Sequence, residues 1–76
     1  MMSNEDRLVY MANQIARNMA VHGEEQAIAE TADHIASFWD PRMRQMIFAR
    51  LDAGGEGLES VARQAVERLR EQAATT

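Results

Sequence analysis

The sequence has no cysteine and no lysine, one proline, one tryptophan, one tyrosine and two phenylalanines. Without cysteine, the chain forms no disulfide and supplies no thiolate ligand to zinc or to an iron–sulfur cluster. Its two histidines are too few for a convincing metal site. We therefore expect neither a metal centre nor a redox centre in this chain.

Long apolar runs are also missing from the sequence. No stretch approaches the roughly 20 apolar residues that span a bilayer. The polar and acidic segment 1–6 is the reverse of a signal peptide. We therefore expect a soluble, cytoplasmic protein, and the lack of cysteine agrees with that compartment.

The chain is small and acidic. It has 76 residues and a formal net charge of -4, and all eight of its basic residues are arginine. An acidic chain is a poor candidate for wrapping nucleic acid, because that affinity comes mainly from neutralised phosphates. One small core supplies only about 3–5 kcal/mol. We therefore expect a domain that is marginally stable alone and is completed by the surface of a partner.

Apolar residues recur at helical spacing in four segments, without the alternation typical of strands. The predicted fold class is all-α, a compact bundle of about four short helices. The single domain is predicted over 4–72, and a tail over 73–76 is expected to fray. The glycine-rich segment 54–57 is expected to be the flexible link before the last helix.

Capping residues set the predicted helix boundaries. Ser3, with Asp6 three residues later, is a weaker form of the Ser-x-x-Glu capping box at the start of the first helix. That helix is predicted to end near Val21, because Gly23 suits a helix C-terminus and Glu24 suits the start of the next helix. Its predicted apolar stripe comprises Leu8, Met11, Ala12, Ile15, Met19 and Ala20.

The only tryptophan and the only proline lie together at the junction of the second and third predicted helices. Asp40 precedes Pro41, which pushes Asp40 towards extended backbone and ends the second helix. Pro41 suits the first position of the next helix, which the Asp40 carboxylate is expected to cap. Trp39 is expected either to fill this junction or to anchor a partner, since tryptophan and arginine dominate binding hot spots.

Two arginines, Arg42 and Arg44, follow in the first turn of the third helix. The helix dipole disfavours cations there, so an acidic group in this chain or in a partner is expected to answer them. Two residues apart on a helix, the side chains diverge by roughly 200°. One is therefore expected to bond within the domain and the other to face outwards.

Patterns typical of catalysis or metal binding are weak. Glu30 and His34 have the i, i+4 spacing of some metal sites in helical bundles but lack matching ligands, so a surface pair is expected. The segment 54–57 follows a helix and lacks the lysine of a P-loop. A helix-turn-helix DNA-binding domain stays an alternative, with Arg42 and Arg44 opening its recognition helix.

Two blocks of the sequence carry a family resemblance. The first block, 11–16, is Met-Ala-Asn-Gln-Ile-Ala. The second runs from His34-Ile35 across two residues to Phe38-Trp39-Asp40-Pro41-Arg42-Met43-Arg44. The chain resembles, over about 8–69, the small delta subunit of NAD-dependent, molybdenum-containing formate dehydrogenases. Gly55-Glu56-Gly57-Leu58 also fits the family's link into its last helix, whereas Asn18-Met19 stands where the family often has an aromatic pair.

The resemblance implies a non-catalytic accessory subunit of a cytoplasmic formate dehydrogenase complex, binding the large catalytic subunit and supporting assembly or stability of the active enzyme. It implies that partner subunits carry the molybdenum bis-guanine-dinucleotide cofactor, the iron–sulfur clusters, FMN and NAD. A transient maturation chaperone for cofactor insertion stays an alternative, as does a homodimer of the isolated chain. No catalytic, cofactor-binding or metal-binding residue is predicted. The residues predicted to bind the partner are Asn13, Gln14, Phe38, Trp39, Asp40, Arg42 and Arg44.

Overall fold

The computed structural model describes residues 2–75, and within them it contains helices and no strand. Helix α1 covers Asn4–Met19 and runs into a short 3-10 turn at Ala20–His22. Helix α2 covers Glu24–Phe38, α3 covers Pro41–Asp52 and α4 covers Ser60–Thr75. The predicted all-α class and its four helices are confirmed. No helix in this part of the chain is long and apolar enough to cross a membrane.

The start of α1 is capped as its sequence predicts. The Ser3 hydroxyl accepts a hydrogen bond from the Asp6 backbone N–H at 3.0 Å, and the Asp6 carboxylate accepts one from the Ser3 N–H at 3.3 Å. At the other end, Gly23 has a φ of +92°, which a residue with a side chain rarely adopts. This glycine follows the 3-10 turn and is also the N-cap of α2.

The buried face of α1 differs from the predicted stripe. Met11 is 39% exposed, whereas Val9 is only 6% exposed. The buried positions of α1 are Leu8, Val9, Ala12 and Ala16. On a helical wheel with ~100° per residue, the mean direction of these four side chains lies roughly 115° from that of Met11. The helix is rotated in this way because it contacts α2, α3 and α4 together, which buries a wider arc than one neighbour would.

The core is centred on α2, which packs mainly against α4 and α1. Its largest fully buried apolar side chains are Ile28, Ile35, Ile47 and Val66. Fully buried alanines on α1, α2 and α4 let these helices approach closely. Leu58 precedes the first residue of α4, Ser60, and is nevertheless buried.

The segment between α3 and α4 is held by hydrogen bonds, which its glycine-rich sequence does not reveal. The Gly55 N–H donates to the Arg50 carbonyl at 2.8 Å, and the Arg63 guanidinium donates to the carbonyls of Gly54 and Gly55 at 2.9 and 3.2 Å. Gly55 is buried with a φ of +67°, and a Cβ there would lie 2.8 Å from Arg63 Nη1. The positive φ therefore favours glycine at this position, and a Cβ would displace the Arg63 guanidinium.

At the C-terminus, α4 continues to Thr75, beyond the predicted domain limit at residue 72. Thr76 lies outside the described residues. Fraying of 73–76 stays a prediction.

Ion pairs join helices that are distant in sequence. Arg50 on α3 donates to Glu5 at 2.5 Å and also to Asp6, both near the start of α1. The predicted pair between Glu30 and His34 is wrong: Glu30 Oε1 lies 2.5 Å from Nδ1 of His22 instead. The chain turns back at Gly23, which brings His22 beside α2.

Candidate docking site

Helices α2 and α3 meet within residues 38–44, which we call the corner, and only Trp39 and Asp40 link the two helices. Asp40 has extended backbone (φ -73°, ψ 167°), and its Oδ1 accepts a hydrogen bond from the Met43 N–H at 2.9 Å. Pro41 is the first residue of α3. The predicted roles of Asp40 and Pro41 are confirmed. A helix-turn-helix usually has a turn of three or four residues, so this link does not favour the DNA-binding alternative.

The two aromatic residues of the corner face opposite ways. Trp39 is 4% exposed and belongs to the core, whereas Phe38 is 75% exposed. The buried positions of α2 explain this choice, because Trp39 lies four residues after Ile35 and lines up with the buried stripe. Of the two expectations for Trp39, filling the junction is the one that the structure supports. Its partner contact stays a prediction, with little of the ring left to make it.

The exposed Phe38 ring is supported on one side. It lies on the last turn of α2, and its centroid is 4.7 Å from the centroid of the His34 ring, with 40° between the planes. His34 precedes Phe38 by one helical turn, so the two rings share one face of α2. The corner therefore presents one aromatic side chain to solvent, on a helix whose other face is fixed in the core.

The two arginines of the corner diverge as predicted. The Arg44 guanidinium donates to the carbonyl oxygens of Ala36, at 3.5 Å, and Trp39. These carbonyls lie at the C-terminal end of α2, where a cation is favourable. Arg42 makes no side-chain hydrogen bond or ion pair among the described residues. Arg44 therefore pairs with carbonyls of this chain, and among the described residues no acidic group pairs with either arginine. An acidic group in a partner stays a prediction.

The two amides predicted to bind a partner lie apart from the corner, on α1. Asn13 donates to the Gly57 carbonyl and accepts from the Glu59 N–H, both at 2.9 Å. Gln14 donates to the Tyr10 hydroxyl at 2.7 Å. No hydrogen bond between described residues connects these amides to the corner. The structure therefore gives Asn13 a role in holding the segment before α4, and partner binding by either amide stays a prediction.

The shifted pKa values of the chain belong to ion pairs between its helices. The hydrogen bond from Arg50, with further bonds to Ser3, lowers the pKa of Asp6. A hydrogen bond from Arg17 likewise lowers the pKa of Glu59. These carboxylates fasten α1 to α3 and to the segment before α4. Among the described residues, no three His, Asp or Glu side chains converge as metal ligands would.

Comparison with known families decides the assignment. The model of the NADH-dependent formate dehydrogenase delta subunit family, FdsD, matches residues 7–66, a range that includes the whole corner. The chain belongs to the FdsD family. FdsD is an accessory-subunit family of formate dehydrogenase, and the predicted resemblance is confirmed. Searches of curated proteins and of solved structures return no match.

Proposed function

We propose that this FdsD chain is a non-catalytic subunit that binds the large, molybdenum-cofactor-bearing subunit of the formate dehydrogenase and supports assembly or stability of the active enzyme. The observation that carries the proposal is the family match over residues 7–66. A cytoplasmic location belongs to the same proposal. So does the expectation that the molybdenum cofactor, iron–sulfur clusters, FMN and NAD sites lie on partner subunits.

The exposed Phe38 ring supports the corner as the contact. Aromatic residues, phenylalanine among them, are enriched at protein interfaces relative to the rest of the surface. Burying a phenylalanine side chain fully is worth roughly 1.5–3 kcal/mol. Trp39 and Arg44 hold the backbone beside Phe38, through core packing and through bonds to the end of α2. A rigid anchor of this kind loses little conformational entropy on binding.

The test is retention of the large subunit by tagged chain variants after co-expression of the subunits. Phe38→Ala is expected to weaken retention by about tenfold or more, since each ~1.4 kcal/mol is a factor of ten. Val21→Ala is the matched control, because Val21 is 81% exposed. Val21 lies before the start of α2 and Phe38 is the last residue of α2, whose 15 residues span about 22 Å. The two side chains are therefore far apart. Equal retention by both variants would contradict the corner as the docking site.

The same preparation separates a permanent subunit from a transient chaperone. A permanent subunit is expected at a fixed ratio to the large subunit in purified, active enzyme. A chaperone is expected on immature enzyme only and absent after cofactor insertion. Quantitative gel densitometry of the active fraction gives this ratio directly.

A further inference from the structure

The arginine side chains of this chain differ in what they pair with. Four arginines pair with carboxylates, and two others donate only to backbone carbonyls. The first set is Arg17, Arg50, Arg68 and Arg70, and the second is Arg44 and Arg63. Among the described residues, the guanidinium groups of Arg7 and Arg42 alone make no hydrogen bond or ion pair. Two unanswered cations stand out in a chain of net charge -4 with twelve acidic residues.

Both unpaired arginines line the same groove. It lies between the start of α1 and the start of α3 and encloses about 280 Å³. Its lining includes the apolar side chains of Leu8, Met43 and Met46. Pockets for small organic ligands are usually about 300–1,000 Å³, so this groove suits one or two side chains of another protein.

The electrostatics of the groove favour an anion. Arg7 lies near the N-terminus of α1 and Arg42 in the first turn of α3, and the backbone dipoles are positive at both places. Asp40 also lines the groove, but one of its carboxylate oxygens accepts a hydrogen bond from the Met43 N–H. The local charge is therefore opposite in sign to that of the whole chain, and two guanidinium forks are free to bind a carboxylate.

We propose that this groove docks a segment of the large subunit in which a carboxylate side chain lies next to a large apolar side chain. Arg7 and Arg42 bind the carboxylate, and the apolar side chain rests on Leu8 and the two methionines. The flexible thioethers of Met43 and Met46 adapt to the shape of that side chain. Charge complementarity selects this occupant, because a basic segment would face two unpaired cations. The inference rests on the proposed function and names the chemistry of the partner surface.

The test is the affinity of the large subunit for charge-reversed variants in the co-expressed complex. Arg7→Glu and Arg42→Glu are each expected to weaken binding about tenfold, and the double variant about a hundredfold, where a factor of ten is ~1.4 kcal/mol. The fold is expected to survive, because neither side chain bonds to another residue in the described part of the chain and glutamate is favoured near helix N-termini. An unchanged thermal unfolding midpoint checks this point.

The matched control is Arg68→Glu, which changes the net charge of the chain by the same amount. Arg68 lies on α4, and its Nη2 is 3.9 Å from Oε2 of Glu25 in a long, exposed ion pair. It does not line the groove, so binding by this variant is expected to equal that of the wild type. The wild-type affinity is also expected to fall more steeply with salt than that of the double variant.

The outcomes separate this inference from the proposed function. If the wild type binds the large subunit and the folded double variant binds equally well, the groove is not the docking site and the proposed function survives. If the control weakens as much as Arg42→Glu, overall charge explains the effect and the groove assignment is wrong. If the wild type itself does not bind the large subunit, both proposals fail.

Discussion

Replacing Trp39 by alanine is expected to remove most or all of the net stability of the isolated chain. The indole is 4% exposed and packs in the core where α2 turns into α3. Truncating a buried tryptophan to alanine costs roughly 3–5 kcal/mol. A core in a chain of this size supplies a net stability of about the same amount, roughly 3–5 kcal/mol. Trp39→Ala should therefore leave the folded and unfolded states comparably populated, or shift the population towards the unfolded state.

The neighbouring residue provides the matched comparison. Phe38 is 75% exposed, so Phe38→Ala is expected to change the free energy of unfolding by less than about 0.5 kcal/mol. Urea unfolding, monitored by circular dichroism, measures the free energy of unfolding of both variants. If Trp39→Ala has no folded baseline, Trp39→Phe is expected to show a smaller, measurable loss of stability. Stability of Trp39→Ala within about 1 kcal/mol of the wild type would refute the buried position of the indole.

The remaining predictions concern stability and use the same urea assay. Thr31 is fully buried and its hydroxyl has no hydrogen-bond partner among the described residues, so Thr31→Val should stabilise the chain by about 1 kcal/mol, and a loss would contradict this. Gly55→Ala should destabilise it by more than about 1 kcal/mol, because φ is +67° and the Cβ meets Arg63; unchanged stability would refute that conformation. The pKa values of Asp6 and Glu59 are lower in the folded chain than their ordinary values of 3.8 and 4.5. Their ion pairs therefore stabilise the fold fully at pH values above those ordinary pKa values. That contribution is lost as the pH falls through the lower folded values, so the urea midpoint should drop below about pH 4, and a midpoint that stays constant would contradict the two ion pairs.

Local signals in the sequence predict the helix ends well. Ser3 with Asp6, and Asp40 with Pro41, act within one helical turn, so their effect does not depend on the rest of the fold. The same locality explains why Arg42 and Arg44 diverge as predicted, since their angle follows from helix geometry alone. These local features predict where the helices begin and end and where the corner lies.

Features that depend on packing between helices are harder to predict. Met11 and Val9 are both apolar, and only the positions of three neighbouring helices decide which of them is buried. Helical spacing predicts His34 as the partner of Glu30, but the turn at Gly23 places His22 against Glu30 instead. The unpaired state of Arg7 has no signal in the sequence, because it depends on which carboxylates the fold places nearby.

The most direct test of the docking proposal is the exposed fraction of Phe38 in a structure of the assembled formate dehydrogenase. The side chain is 75% exposed in the isolated chain. We expect the large subunit to cover the ring and to reduce that fraction to a few per cent. A complex that contains this chain with Phe38 still facing solvent would contradict docking through the corner.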